Sequence, residues 1–400
     1  MGLQMTTCCK NSRFFASFLP RTYILPLLIF FIFLAPSPSM AGLPLKGLTL
    51  QHNETLWMTV GGGLRLQTAS RNSDKDSSSE FSINSMRLYV SGQIHKYLKF
   101  NINTEKYEGD SMMTIDALLK FELDPSVNFW VGRTLVPSDR PGLNGPYTGM
   151  SWNQYRQPLF SADYDGPAGQ LGRSEGAVFW GTKKRFQYLL GAFEGLEDDY
   201  GNSSDHLLYA GRLAYNFLNI EPQPGYYYTS ATHYGAQGNI LTTAITLQSQ
   251  SDGTGSTSKS GDFSGYAFDV FSERVLSNQG VFNFESGYKE IDAGYTLISR
   301  PADTTTKCFC LFDGNTFYAT AGYLLPEKIG PGKFQPYLRY TKNSPNDAKN
   351  SDTTEWGINY VILGHKASLN LNYAQGDANA SGYAGNNTDT LTLGIQLQFY

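Results

Sequence analysis

Along most of the chain, apolar and polar side chains take alternate positions. Near the end, Leu391, Leu393, Ile395, Leu397 and Phe399 share one parity. Thr392, Gly394, Gln396, Gln398 and Tyr400 share the other. A strand sends successive side chains to opposite faces, so this stretch predicts a strand with one oily and one wettable face. The same pattern recurs upstream. Met86, Leu88 and Val90 alternate with Ser85, Arg87, Tyr89 and Ser91. Leu98, Phe100 and Ile102 alternate with Lys99, Asn101 and Asn103. Ile115, Ala117, Leu119 and Phe121 alternate with Asp116, Lys120 and Glu122, and Leu369, Leu371 and Tyr373 with Ser368, Asn370 and Asn372. None of these segments repeats at the helical period of about 3.6 residues.

A soluble sandwich also alternates, but its polar face meets bulk water and is rich in Lys, Glu and Thr. Here that face carries Asn, Gln, Gly and scattered Arg, and aromatic residues gather towards strand ends, as girdles at a membrane interface would. The connections give a second test. Short turns are expected at 95–96, 123–126, 182–184, 276–280, 326–332 and 363–366. Between them fall a tight reversal at 107–112 and long polar loops at 70–80, 135–174, 196–206, 251–262, 292–315, 343–353 and 376–389. Short and long alternate, as in outer-membrane barrels, except that 219–239 is long on the short side. The expected fold is therefore all-β: a transmembrane antiparallel β-barrel of about 16 strands with both termini on the short-turn side. A sheet of that size closes around an aqueous channel, and in lipid it must close to leave no unpaired backbone edge. The 135–174 loop is expected to fold into the lumen and narrow it, because long ordered loops in compact domains tend to be functional.

The first 41 residues have a separate role. Lys10, Arg13 and Arg21 precede an apolar run at 23–35, and Ser39-Met40-Ala41 places small residues at a cleavage site. That order is a secretory signal peptide cut after Ala41, leaving residues 42–400 as one barrel domain. The run is shorter than the roughly 20 residues a spanning helix needs, and Pro26 interrupts it. The signal carries three of the 31 Lys and Arg and none of the 35 Asp and Glu, so the mature net charge is −7. An acidic chain of this kind is not a nucleic-acid binder. Mean hydropathy is −0.33 although only 16% of residues are charged, and Tyr and Phe are abundant at 26 and 25. A strand-rich chain with every second residue polar produces those averages; a bundle of membrane helices does not.

The block from Ser85 to Pro137 resembles the phosphate-selective porin O and P family. The residues are Ser85-Met86-Arg87-Leu88-Tyr89-Val90-Ser91-Gly92, the hairpin through Lys99, Asn101 and Glu105, Asp116-Ala117-Leu118-Leu119-Lys120-Phe121, and Val131-Gly132-Arg133 followed by Pro137. Tyr234-Gly235 ahead of Ile240-Leu241 fits as well. The resemblance implies a pore for anions or small polar solutes, assembled as a homotrimer. The chain departs from the family in three ways. The family's richer cluster of Arg before the hairpin is represented only by Arg87, no Lys/Arg ladder for phosphate can be matched, and the terminal alternation falls on Leu397 and Phe399, one position out of phase.

Lumen-facing parity places Arg65, Arg87, Lys99, Lys120, Arg185, Arg212, Lys289 and Arg339 inside, with Glu105, Asp116, Glu122, Asp269 and Glu285. Rings of charge at a constriction set ion selectivity, whereas cross-strand pairing would only keep the channel wet. The 135–174 loop adds Arg140, Trp152, Tyr155, Arg156, Asp163, Asp165 and Arg173, of which Arg140 and Arg156 are expected near the path. Cys308 and Cys310 are too closely spaced for an unstrained disulfide and lack the further ligands a metal site needs. His52, His95, His206, His233 and His365 are scattered, so no metal or other cofactor is expected, and no motif offers a positioned catalytic base.

The expected function is passive diffusion of small hydrophilic solutes through the bacterial outer membrane, with a modest anion preference and outer-membrane lipid as surroundings. The alternative is a structural barrel that sheathes or docks a partner such as a cytochrome; with no Cys-x-x-Cys-His, this chain would not bind haem covalently itself. Intact-mass measurement of the exported protein should give a chain beginning at Gly42; a retained leader would reject the cleavage site.

Overall fold

The computed structural model describes residues 46–73, 77–106, 111–153, 156–159, 172–195, 206–221, 232–256, 259–293 and 312–400. The alternating segments form strands β1 (Leu48–Gln51), β2 (Trp57–Ser73), β3 (Ser77–His95), β4 (Leu98–Lys106), β5 (Met113–Asp124), β6 (Val127–Leu135), β7 (Arg173–Lys183), β8 (Phe186–Phe193) and β9 (Leu208–Asn216). They continue as β10 (Ile240–Ser256), β11 (Lys259–Val275), β12 (Val281–Ala293), β13 (Gly314–Leu324), β14 (Lys333–Pro345), β15 (Ser351–Leu363), β16 (Ala367–Gly376) and β17 (Thr388–Phe399), with one helical turn, α1 (Arg140–Leu143), after β6.

From β2 onwards each strand pairs antiparallel with the next. β17 returns to β2, from Thr388 opposite Ser73 to Phe399 opposite Gly62, closing a 16-stranded barrel. The strand count and the lumenal loop expected from the sequence are both present. β1 was not anticipated: it pairs only with the start of β2, Leu48 opposite Val60, where β17 has ended. Two expected loops are strand instead. β2 and β3 run to Ser73 and from Ser77, and β10 and β11 to Ser256 and from Lys259. These arms are rich in Ser, Gly and Thr because they stand beyond the apolar band, where backbone pairing holds them without an oily face. The expected long loops at 196–206 and 292–315, and Cys308 with Cys310, lie wholly or largely outside the described residues.

The outward parity is apolar: Leu247 is 62% exposed, Leu190 57% and Leu338 53%. Aromatic pairs mark both rims, Phe121 with Phe129 and Phe334 with Tyr360 at the short-turn end, Trp356 stacked on Tyr373 towards the long-loop end. The inward parity is polar on most strands but not on β6–β8. There Trp130, Val178, Trp180, Leu189 and Phe193 point inward and are buried with Leu143 and Val136 of the loop after β6. Trp130 and Trp180 meet edge to face at 5.1 Å. Those strands are apolar on both faces because one meets lipid and the other a core inside the barrel.

That loop crosses the lumen from wall to wall. Its aromatic side chains seat where a wall strand carries glycine. A Cβ at Gly63 would stand 2.8 Å from the Tyr147 ring, and one at Gly394 would collide with the Trp152 ring. Close approach of a ring to backbone is a position only glycine permits.

Two outcomes check this architecture. Leu190→Lys places a charge on the lipid face in mid-strand and should cost about 2–4 kcal/mol in urea unfolding from phospholipid vesicles. An unchanged midpoint would remove Leu190 from lipid. Gly394→Val should cost about 1–3 kcal/mol by overpacking against Trp152; unaltered stability would mean that the loop is not seated there.

Candidate functional site: the lumen

The candidate site is the interior, and the loop after β6 determines its shape. α1 begins where Asp139 caps it, accepting from the Gly142 amide at 3.3 Å, with Pro141 in the first turn. Such a cap followed by proline is a helix-start signal that the sequence carries. The wall then holds the turn by backbone and charge. Gln248 donates to the Pro137 carbonyl at 2.7 Å, and Arg212 to that of Ser138 at 3.2 Å. The Arg140 amide donates to Asp269 at 3.2 Å, and Lys289 pairs with Asp139 at 2.9 Å.

Further along, the loop reaches the opposite wall. Gln396 donates to the Tyr147 carbonyl at 2.8 Å, and Asn359 to that of Met150 at 2.8 Å. Arg65 donates to the Trp152 carbonyl at 2.8 Å and lies 3.9 Å above the indole centroid. The indole N–H donates to Gln67 at 2.8 Å. Arg339 donates to Ser151 Oγ and to the Asn153 carbonyl at 2.8 and 2.6 Å, and Asn153 donates to Glu355 at 3.1 Å.

Most of the cations placed inside by parity therefore hold the structure together. Arg87 pairs with Glu105 at 2.7 Å and faces the Tyr147 ring; Arg212 pairs with Asp269 at 2.5 Å. Arg140 is 1% exposed and paired with Glu221. Arg156 lies 3.9 Å from Glu355, which also meets Arg339 at 3.7 Å. Arg173 pairs with Asp116 at 2.9 Å. Arg185 is a correction. It sits exposed in the β7–β8 turn and donates to the carbonyls of Asn216 and Leu218, because strand parity does not extend into a turn. Tyr155, Asp163 and Asp165 lie outside the described residues.

A second segment enters from the short-turn rim. The β9–β10 connection was noted in the sequence as too long for its side, and its described ends pack inward. The His233 carbonyl accepts from Asn283 and Gln335 at 3.0 Å each. His365, in the β15–β16 turn, has Nε2 3.2 Å from the Thr232 carbonyl and Nδ1 3.2 Å from the Tyr234 hydroxyl. A carbonyl can only accept, so Nε2 carries the proton. Burial lowers the His365 pKa to about 4 and holds that of His233 well below the usual histidine range, which favours the neutral imidazole, with Nδ1 accepting from the Tyr234 hydroxyl.

The remaining wall is different. On β3–β5, Tyr89, Ser91, Asn101 and Lys120 keep intermediate exposure, and the Lys99 and Glu122 side chains are 33% and 23% exposed. Lys99 stands directly opposite Lys120, with Glu122 2.6 Å from Lys99 and Lys120 4.1 Å above the Trp130 ring. By contrast most inward polar residues of β9–β17 are nearly dry: Thr242 is 1% exposed, Asn283 and Gln335 are 0%, and Asn370 is 1%, although Asn359 keeps intermediate exposure. Ser85, Glu105 and Asp116 are also buried, so the accessible part of the lumen is eccentric, along the short-turn half of β3–β5. Among the described residues, no group of His, Cys, Asp and Glu is arranged to hold a metal ion.

Comparison with known proteins agrees with this geometry. The fold is similar to OprB of Pseudomonas putida at high pH (TM-score 0.58, 9% identity, 86% of this chain and 94% of that one). It is similar to OmpF of Salmonella typhi in complex with daunomycin (TM-score 0.57, 12% identity, 88% and 100%). It is also similar to in-vitro folded OmpT of Vibrio cholerae in its trimer form (TM-score 0.51, 11% identity, 86% and 99%). No curated protein sequence matches the chain. Residues 64–400, from β2 to the last residue, match one family, and with a closed barrel narrowed by an infolded loop the chain belongs to the phosphate-selective porin O and P family, the porins of bacterial outer membranes.

Proposed function

We propose that this porin lets small hydrophilic solutes diffuse passively along the β3–β5 side of its lumen, with a modest preference for anions, and that it does no covalent chemistry. The observation that carries this reading is the contrast in exposure: Tyr89, Ser91, Lys99, Asn101, Lys120 and Glu122, on the short-turn half of β3–β5, keep partial exposure, while Ser85, Glu105 and Asp116 further along the same strands and most inward polar side chains of β9–β17 are covered. Lys99 and Lys120 face one another there, and like charges directly opposite are unfavourable in a sheet. Glu122 offsets one of the two, so this stretch of wall keeps a positive excess towards the water. A charged ring or arc at a narrow place filters ions by sign.

Arg87, Lys99, Arg140 and Arg156 were expected to tune the path; Arg87 and Arg140 are buried in ion pairs, whereas the side chains of Lys99 and Arg156 stay 33% and 24% exposed beside a carboxylate. Selectivity is assigned to Lys99 together with Lys120 on the open wall, with Arg87 and Arg65 shaping the loop that narrows it. Assembly as a homotrimer in outer-membrane lipid is part of the proposal; the trimer form of the similar Vibrio cholerae barrel supports it.

Replacing both Lys99 and Lys120 by Glu should move the reversal potential in a salt gradient towards cation preference in planar bilayers. The same recordings with phosphate, sulfate and chloride in competition rank the anions. An unchanged reversal potential would reject the assignment to this wall.

A further inference from the structure

The pore reading uses the interior and leaves the outside of the short-turn rim without a role. In the β7–β8 turn three cations follow one another, Lys183, Lys184 and Arg185, and all are exposed. Among the described residues, no other short turn holds two adjacent Lys or Arg. Lys184 takes the left-handed backbone conformation, φ 56°, at the tip of the turn. The neighbouring β5–β6 turn is tied on by the Thr182 amide, which donates to the Pro125 carbonyl at 2.8 Å. Its Asp124 is engaged with Ser126, accepting from the amide at 2.9 Å and from the hydroxyl at 2.6 Å.

Arg185 is fixed in place. Its carbonyl accepts from the Asn216 amide at 2.9 Å and from Asn216 Nδ2 at 3.1 Å. Its guanidinium donates from Nη1 alone, to the carbonyls of Asn216 and Leu218 at 3.0 and 2.6 Å. Nε and Nη2 have no hydrogen-bond partner among the described residues. A guanidinium held this way presents a fixed pair of donors, the geometry that matches two phosphate oxygens.

The lipid side of the same hairpin end is aromatic. Phe186, next to Arg185, is 48% exposed and meets Tyr215 edge to face at 4.8 Å; Tyr215 meets Phe217, 49% exposed, at 4.8 Å. Aromatic belts sit at headgroup depth, and in outer-membrane barrels the short turns are periplasmic. The three cations therefore stand where an apolar, ring-covered surface gives way to the headgroups of the periplasm-facing leaflet. A soluble anionic polymer would meet the charges but make no use of the rings, whereas a lipid uses both.

We infer that the β7–β8 turn and the end of β9 form a binding site for an anionic phospholipid. Arg185 takes the headgroup phosphate through Nε and Nη2, Lys183 and Lys184 attract the net negative charge, and the acyl chains lie along Phe186 and Phe217. The site is on the outer surface and does not depend on whether the lumen conducts.

Titration of the detergent-solubilised barrel with phosphatidylglycerol, read by native mass spectrometry, tests it, with phosphatidylcholine as the neutral comparison. The wild type should retain phosphatidylglycerol in preference. Each Lys or Arg beside an anionic lipid adds about fivefold in affinity, so Lys183→Gln/Lys184→Asn/Arg185→Gln should weaken retention about tenfold or more. Arg185→Lys, which keeps the charge but loses the fork, should fall between. Lys328→Gln/Lys333→Gln, on another part of the same rim, should stay within about twofold of the wild type, since charge there has no fixed guanidinium beside it. Where the triple variant lacks the folded band on unheated gels, Lys183→Gln/Lys184→Asn decides, because it leaves the Arg185 contacts intact and Asn tolerates the left-handed conformation. Folded variants of the turn that retain the lipid as the wild type does overturn the inference, as does an equal loss in Lys328→Gln/Lys333→Gln. Displacement of the lipid by inorganic phosphate, or by soluble cell-wall fragments at matched ionic strength, would assign the turn to those ligands and also overturn it.

Discussion

Everything in this molecule follows from backbone amides having no water to bond with inside a bilayer. A sheet in lipid must satisfy every N–H and C=O within itself, so it must close, and β17 pairs with β2 over its whole length to do so. Closure fixes a circumference of 16 strands, and that circumference is too wide for inward side chains to fill. What occupies the remaining space then sets what the barrel can do.

Here the filling is not symmetric. The loop after β6 anchors on an apolar core with Trp130, Trp180 and Phe193, then crosses to Gly63 and Gly394 on the far side. Its carbonyls take hydrogen bonds from wall residues on many strands, Gln248, Asn359, Arg65 and Gln396 among them. Buried polar groups are costly unless satisfied, and a loop with such an array of partners is held as a fixed partition. The segment at the short-turn rim meets it at Arg140 and Glu221, which leaves the β3–β5 wall as the wet margin.

The same pairing commits most interior arginines to carboxylates and to the loop. Arg212, Arg87 and Arg173 each face an acid within hydrogen-bond reach, and their geometry serves loop placement. Lys99 and Lys120 lie outside that dry network; a compact ammonium on a flexible stem can remain solvated where a fixed guanidinium fork would be committed. The division between buried braces, the arginines and Lys289, and the partly exposed Lys99 and Lys120 is a feature of the tertiary arrangement.

Strand identity, the face each side chain takes, the alternation of short and long connections and the closed barrel were legible because period-two patterning and turn chemistry are local. The Arg87–Glu105 and Lys99–Glu122 pairs were also within reach, since neighbouring strands in a meander have a register fixed by short turns. The sequence also carries two further signals: β6–β8 are apolar on both faces, and Asp139-Arg140-Pro141 marks a helix start. The partnership of Arg140 with Glu221, the seating of Trp152 on Gly394 and the exposure left on β3–β5 could not be read at all. They join residues whose proximity depends on where a long loop comes to rest inside the closed sheet, and that resting place is settled by three-dimensional packing, which no local spacing in the chain encodes.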